Sequence, residues 1–182
     1  MPLVKTQAEG INLADTFAFS GTVSGAGGGV ILKVVSNTFT TMTTISNTTA
    51  DFGLSCAITP TKANSLLMIS ASILYSASSN DSGCFITDSS NNVIQQPPAN
   101  GNRFRGHFGT HYGSSSTTTY DTYREYHTVF VTHAGTSEQT FKVRAVTASS
   151  SALYTNRNVY NGDRFADPQG ISTMIIQEIA QW

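Results

Sequence analysis

The sequence predicts an all-β protein, an antiparallel β-sandwich of jelly-roll type with an extended N-terminal arm. Ser, Thr and Asn make up about a third of the chain and are accompanied by 15 Gly, a composition that suits strands and turns. From Val30 onward, short stretches of alternating hydrophobicity recur roughly every ten residues between turn residues. A closed up-and-down barrel is the second fold that fits this pattern.

The chain of 182 residues has the length of one domain, and its 39% hydrophobic residues are enough for one core. Residues 1–29 are predicted to form an extended anchoring arm, because glycines crowd its end and its few apolar residues cannot offset the entropy of ordering it alone. Residues 30–182 are predicted to form the sandwich domain. The arm residues expected to contact another surface are Leu13, Phe17, Phe19 and Val23.

The first predicted strands run from Val30 to Val34, from Phe39 to Ile45 and from Leu54 to Ile58, each ended by a turn residue. The next, from Ser65 to Tyr75, is the longest apolar run and is apolar on both faces. A sandwich strand normally has one wet face, so this strand is expected to lie under a subunit contact. The residues predicted for that contact are Leu66, Met68, Leu74, Met174, Ile176 and Trp182.

The later strands follow the same alternation. Residues 85–87 and 93–95 flank a hairpin connection at 88–92, and further strands are expected at 103–108, 123–131, 140–146 and 152–154. The last is Ser172 to Ala180, where the apolar spacing also fits a helix. The paired β-branched Ile175 and Ile176 favour a strand.

Charge is low and balanced, with 10 Lys and Arg against 11 Asp and Glu and a formal net charge of -1. A protein that holds nucleic acid or an anionic bilayer mainly by charge needs clustered cations, so neither partner is expected. No apolar run is long enough to span a bilayer and the start does not resemble a signal peptide, which predicts synthesis and retention in a cytosol-like compartment. Cys56 and Cys84 are expected to be buried, reduced thiols.

The sequence contains only weak evidence for a catalytic, phosphate-binding or metal-binding site. The glycines at 25–29 are followed by a strand rather than by a helix N-terminus, which argues against phosphate binding. A metal site could draw on His107, His111, His127, His133 and Asp121, although solvated or interface histidines explain them better. The pairs Asp121 with Glu125 and Asp163 with Asp167 could serve glycoside cleavage, but such pairs also arise by chance. We expect no enzyme, no cofactor and no metal.

The stretch from Arg103 to His127 is rich in Tyr, Arg and small residues, a mixture typical of recognition surfaces for protein or sugar. The plainer alternative is that alternate aromatic residues on two strands belong to the core. The candidate recognition residues are Arg103, Arg105, Tyr112, Tyr120, Tyr123 and Arg124.

Two segments resemble virion proteins of marine and cyanobacterial tailed phages. Residues 11–27, from Ile11 to Gly27, are similar to the opening of many such proteins. Residues 152–157, which end in Asn156-Arg157, and residues 172–179, with Ser172 and Glu178-Ile179, resemble the closing strands of phage fibre-like and head-decoration domains.

The resemblance implies a jelly-roll homotrimer. Because the chain has neither shaft repeats nor a coiled coil, a capsid decoration or cement protein that binds the major capsid protein is favoured. Such a protein is made in the host cytoplasm and resides on the capsid surface of the virion. One alternative is a tail-fibre or receptor-binding protein that contacts host-surface glycans or proteins, and a second is a small glycan-cleaving or metal-dependent enzyme domain. Other virion proteins or a host-surface glycan are further candidate partners.

Overall fold

The computed structural model describes residues 30–46, 48–78, 82–101, 103–109, 122–147, 151–163, 165 and 167–181. Within these residues the protein is all-β, without a helix, as the composition predicted. The described part of the chain forms nine strands: β1 Ile31–Phe39, β2 Thr44–Ser46, β3 Thr49–Ile58, β4 Ser65–Ala77, β5 Ser82–Asp88, β6 Tyr123–His133, β7 Gln139–Thr147, β8 Ala152–Thr155 and β9 Ser172–Ile179.

The larger of two antiparallel sheets is built around β4, the longest strand. β6 pairs with β4 along one side, from Ser65↔His133 to Tyr75↔Tyr123. On the other side, β9 pairs with the first part of β4 and β8 pairs with its end. β1 then adds to β9, and the short β2 adds to β8. β4 is therefore paired on both of its edges, while its outward residues Leu66 and Met68 remain half-buried.

The smaller sheet has the order β3-β7-β5, and it is also antiparallel. The two sheets enclose one core, an architecture consistent with a β-sandwich. Each sheet turns alternate residues toward this core, which is why β4 and β7 show period-two burial. The largest fully buried side chains are Tyr75, Phe52, Phe108, Leu54, Ile58, Leu67, Ile69, Ile73, Ile86, Leu153, Met174 and Ile176.

The strand predicted at 172–180 is confirmed as β9, since it lies between β1 and β4 and is paired on both sides. Three other predicted strands differ from the structure. The stretch from Phe39 to Ile45 is interrupted, because β1 ends at Phe39 and β2 begins only at Thr44. Residues 93–95 and 103–108 contribute only isolated bridges to β5, at Val93 and at Phe108.

The turn after β5 is confirmed, and one carboxylate organises it. Asp88 Oδ1 accepts hydrogen bonds from the backbone N–H groups of Ser90 and Asn92, at 2.9 and 2.8 Å, and Oδ2 accepts one from the Asn92 amide. Asn91 adopts a positive φ of 71° within this turn. Asn tolerates the left-handed region better than most residues, so the sequence meets the local geometry.

Both cysteines are buried and unpaired, as predicted. Burial raises the pKa of both thiols, so they remain protonated at neutral pH. No helix among the described residues is long and apolar enough to cross a membrane.

Candidate interaction surface

The outward side of the larger sheet carries many apolar side chains, and we call it the outer face. It consists of outward residues of β1, β9, β4 and β6, which alternate with the core residues of the same strands. The large apolar members are Ile31, Val34, Leu66, Met68, Tyr126, Phe130, Ile175 and Ile179. Between them lie mainly small hydroxyl residues: Ser36, Thr38, Ser70, Ser72, Thr128, Thr132 and Thr173.

One end of the outer face is apolar. The pairing register aligns Ile31, Ile179 and Leu66 in one row across the sheet. The next row contains Val34, Gln177, Met68 and Phe130. Val34 is 55% exposed and Phe130 is 41% exposed, so water contacts large apolar groups on the side of the sheet that faces away from the core.

The other end of the outer face is rich in hydroxyl groups. The Ser70 and Thr128 hydroxyls are 2.9 Å apart, and Thr128 donates a hydrogen bond of 3.2 Å to the phenol oxygen of Tyr126. Hydrogen bonds from Ser70 and Thr128 lower the pKa of Tyr126. These contacts hold the phenol beside the sheet, while the side chain remains 68% exposed.

Charge separates the outer face from the opposite side of the molecule. Arg124, at the hydroxyl-rich end, is the one charged residue among the outer-face residues, and it donates to the carbonyl of Ile171 at 3.1 Å. The smaller sheet instead carries the ion pairs of Asp51 with Lys142 and Arg144, at 3.0 and 3.1 Å. The outer face therefore lacks the charges that usually keep a sheet surface in water.

The size of the outer face matches a binding surface. Four strands about 4.8 Å apart, followed along β4 from Leu66 to Leu74 at about 3.4 Å per residue, give roughly 500 Å². The apolar end is about half of this area, roughly 250 Å², near the lower end of the 300–600 Å² that the largest apolar patch of an ordinary monomer covers, and such patches are often functional. A specific interface buries about 800 Å² on each partner, so this face accounts for most of one side of an interface.

The structure revises the predicted subunit-contact residues. Leu66 and Met68 lie half-buried on the outer face. Leu74 points to the same side but is only 7% exposed, and it lies close to Gly170. Met174 and Ile176 point the opposite way and are fully buried in the core of the same chain, so they have no surface to offer another subunit.

Ile175 and Ile179 take the place of Met174 and Ile176 on the outer face. Because the run from Met174 to Ile176 is apolar at every position, the sequence does not reveal which residues of β9 point outward. Trp182, the last predicted contact residue, lies outside the described residues.

The predicted recognition residues do not converge on one site. Arg103 is exposed, Arg105 donates to the carbonyl of Pro97 at 3.3 Å, and Arg124 lies on the outer face. The ring of Tyr123 packs against Tyr75 with centroids 6.0 Å apart. Tyr112 and Tyr120 lie outside the described residues, as do the arm residues Leu13, Phe17, Phe19 and Val23.

Asn156, which contributed to the phage resemblance, is a buried structural residue. Its φ is 56°, and its Nδ2 donates to the carbonyls of Phe39 and Thr41 at 2.8 and 3.1 Å. Its Oδ1 accepts the hydroxyl of Ser172 at 2.7 Å, and Ser172 Oγ accepts the N–H of Leu74. These bonds join the end of β1, the end of β8 and the start of β9.

Glu178, the other polar residue of that resemblance, secures the turn between β3 and β4. Its carboxylate accepts the backbone N–H groups of Thr61 and Lys62 and the hydroxyls of Thr61 and Ser65, all at 2.8–2.9 Å. Burial by itself raises the pKa of a carboxyl group, but these hydrogen bonds outweigh burial and lower the pKa of Glu178. Its role here is to hold a loop.

The candidate catalytic and metal-binding residues are also engaged in packing. The Tyr75 hydroxyl lies 2.8 Å from Glu125 Oε1, and Asp167 accepts the Asn158 amide at 2.7 Å. Among the described residues, no three His, Cys, Asp or Glu side chains form a group that could hold a metal ion. His111, Asp121 and the glycines at 25–29 lie outside the described residues.

Comparison of the sequence with protein-family models found no match, and no curated protein is significantly similar to it. Because the comparisons supply no relative and several of the other candidate residues are hydrogen-bonded within the fold, the outer face is the feature that supports a functional proposal.

The sequence-based contact residues include Leu66 and Met68, which lie on the outer face, but not its other large apolar members, which are Val34, Tyr126, Phe130, Ile175 and Ile179. The sequence signal that could have found them lies in β1, β6 and β9. In these strands apolar residues occupy alternate positions that are usually polar on a solvent-exposed face. This signal becomes a surface only when the strand order is known, since β1, β9, β4 and β6 are far apart in sequence.

Proposed function

We propose that the protein is a non-enzymatic structural protein that assembles as a homotrimer through the outer face. The observation that carries this proposal is a roughly 500 Å² sheet surface with exposed Val34, Phe130 and Ile31 and one cation at its edge. Identical copies can approach across such a surface without repulsion between like charges. A jelly-roll topology of the sandwich is part of the same proposal.

The two ends of the outer face suit a cyclic trimer. A contact in a threefold ring joins two different patches of the subunit, whereas a twofold dimer uses the same patch twice. The apolar end offers Val34, Met68 and Phe130, and the hydroxyl-rich end offers Tyr126 beside Arg124. Each contact would bury about half of one face on each of two subunits, about 500 Å² in total, and provide a gross ~12 kcal/mol at ~25 cal/mol per Å², much of which offsets the cost of association.

We further propose that this trimer is a decoration or cement protein of a tailed-phage head. The similarity of residues 11–27, 152–157 and 172–179 to phage virion proteins supports this role. Each subunit would use its arm, through Leu13, Phe17, Phe19 and Val23, to bind the major capsid protein. Three arms acting together raise the effective concentration of each, so individually weak contacts become long-lived.

Sedimentation equilibrium of the purified full chain tests the assembly. We expect the mass of three chains for the wild type and a shift toward one chain for Val34→Asp and Phe130→Asp. The control is Ala57→Asp, which adds the same charge at an exposed position of the smaller sheet. A monomeric wild type, or equal dissociation of all three variants, would exclude assembly through the outer face.

Occupancy on isolated phage heads tests the decoration role separately. Removal of residues 2–29 should leave a folded trimer that no longer binds heads lacking their own decoration protein. Binding by the shortened chain at wild-type occupancy would exclude anchoring by the arm, whatever the outcome of the sedimentation experiment.

Receptor binding at a tail tip is the second candidate, and the exposed Tyr126 beside Arg124 favours it. Aromatic rings with adjacent directed donors are common at recognition surfaces. In that case the purified protein should block phage adsorption, and Tyr126→Ala should abolish the blocking. A decoration protein would leave adsorption unchanged.

A further inference from the structure

Residues 103–109 fill the open edge of the sandwich between β5 and β6, and we call this segment the plug. Phe108 is fully buried, and its backbone exchanges hydrogen bonds with Cys84 of β5. Gly109, at the end of the plug, donates its N–H to Glu125 Oε2 of β6 at 3.0 Å. The plug therefore connects the edge strands of the two sheets.

His107 makes the most pH-sensitive contact of the plug. Its Nδ1 accepts the backbone N–H of Ile86 at 2.8 Å, in the place where a neighbouring strand would supply a carbonyl. An imidazole nitrogen can accept this bond only while it is unprotonated. The proton of the neutral ring is therefore on Nε2, which is buried and makes no well-directed hydrogen bond within the described residues, although the backbone carbonyls of Ile94 and Gln95 are near enough to favour a charged ring.

The ring of His107 is also stacked on another histidine. The centroids of His107 and His127 are 4.9 Å apart with an interplanar angle of 24°. A proton on His107 would thus remove the acceptor for Ile86 and place a charge against the ring of His127. A buried N–H without an acceptor is destabilising, so loss of the Ile86 contact would weaken the closed plug.

The other groups around the plug do not supply a compensating contact to Nδ1. Glu125 of β6 is the nearby carboxylate, and its oxygens are bonded to the Gly109 N–H and the Tyr75 hydroxyl. Cys84 of β5 and Tyr75 of β4 are neutral, since burial raises the pKa of each. Within the plug, Arg105 carries a further positive charge and donates to Pro97.

We propose that the plug is a pH-dependent latch, closed by the Ile86 to His107 hydrogen bond and opened when His107 takes up a proton. This inference is independent of the proposed assembly, because the plug lies at the sandwich edge and not on the outer face. Opening would expose Phe108 and the edge of β5 while both sheets stay folded.

The direction of the effect follows from proton linkage. Burial lowers the pKa of His107, the neighbouring His127 lowers it further, and the backbone carbonyls of Ile94 and Gln95 oppose this shift. In the open plug the ring regains its ordinary pKa of about 6.5. The closed state is therefore fully favoured above pH 6.5. Below pH 6.5 the ratio of closed to open molecules falls about tenfold per pH unit, until the pH reaches the pKa of His107 in the closed state.

Hydrogen exchange of the full chain, read by mass spectrometry at pH 7.5 and 5.5 and corrected for the intrinsic rate, tests the latch. We expect roughly tenfold less protection of Ile86 and residues 103–109 at pH 5.5, with unchanged protection in β4 as the internal reference. In His107→Gln the amide oxygen can accept the Ile86 N–H without titrating, so protection should no longer depend on pH. His133→Gln, at the far end of β6, is the control and should respond like the wild type.

Two outcomes would overturn the latch: equal protection of the wild type at both pH values, or a His107→Gln variant that keeps the wild-type response. If that variant does not fold, NMR titration of His107 in the wild-type protein decides instead. A pKa below 6.5 together with loss of Ile86 protection in the same pH range supports the latch, and a pKa at or above 6.5 overturns it.

Discussion

At the residue scale, the polar side chains that stand out in the sequence have structural roles. Asn156 and Glu178 are both buried, and each satisfies several backbone groups of another segment. Buried polar groups need such partners, and loss of one partner leaves the remainder unsatisfied. These residues therefore fix loops at the sandwich edges.

Replacement of Glu178 by Gln tests this role. The amide group would place N–H donors against the donors of Thr61, Lys62 or Ser65, so we expect a loss of about 2–4 kcal/mol in the free energy of unfolding at pH 7. Glu178→Asp, which keeps the charge but shortens the side chain, should lose less. Chemical denaturation measures both, and a Gln variant as stable as the wild type would contradict the assignment.

The same carboxylate predicts how stability depends on pH. The pKa of Glu178 is lower in the folded protein than its ordinary 4.5. Its contribution is therefore complete above pH 4.5 and is lost as pH falls through the folded-state pKa. Urea unfolding between pH 6 and 3 should show a smaller acid loss in Glu178→Gln than in the wild type. Some loss should remain, because the pKa of Asp88 is also lowered.

Gly53 is a further residue-scale test. Its φ is 109°, and an added Cβ would lie 2.3 Å from the ring of Phe39. Gly53→Ala should therefore destabilise the fold by about 2 kcal/mol or more. At Gly135, an added Cβ has no neighbour closer than 3.8 Å, so Gly135→Ala provides the control. Equal melting temperatures for the two variants would show that Phe39 moves away at little cost.

At the element scale, the strands themselves were largely predictable, whereas their faces were not. Alternation located β3, β4, β7 and β9, because in each of them core residues recur with period two. The plug and residues 93–95 were predicted as strands because they contain apolar residues. In the structure each makes a single bridge to β5, and Gln95 has a positive φ of 50°, outside the extended region that a strand requires.

β9 provides a matched pair of variants that separates folding from assembly. Ile176 is fully buried, so Ile176→Ala should cost about 2–5 kcal/mol in unfolding free energy. Ile175, one residue earlier, is 38% exposed on the outer face, so Ile175→Ala should keep a near-normal stability of the isolated subunit but weaken assembly. If Ile175→Ala instead lowers the unfolding free energy and Ile176→Ala instead weakens assembly, the face of β9 that we assign to the core is the wrong one.

At the scale of the whole molecule, the two outer sides of the sandwich differ in chemistry. The smaller sheet carries the Asp51, Lys142 and Arg144 ion pairs, as expected of a surface in water. The larger sheet exposes apolar rows across four strands. The sequence indicated this apolar surface only through the two-sided apolar character of β4, because the rows form only once β1, β9 and β6 are placed beside it.

The mass of the purified full chain in solution is the most direct test of this account. Light scattering coupled to size exclusion should give three times the 19.4 kDa of one chain at micromolar concentration, and Met68→Asp should reduce that mass. A stable wild-type species of 19.4 kDa under the same conditions would contradict an outer face that binds copies of the same chain.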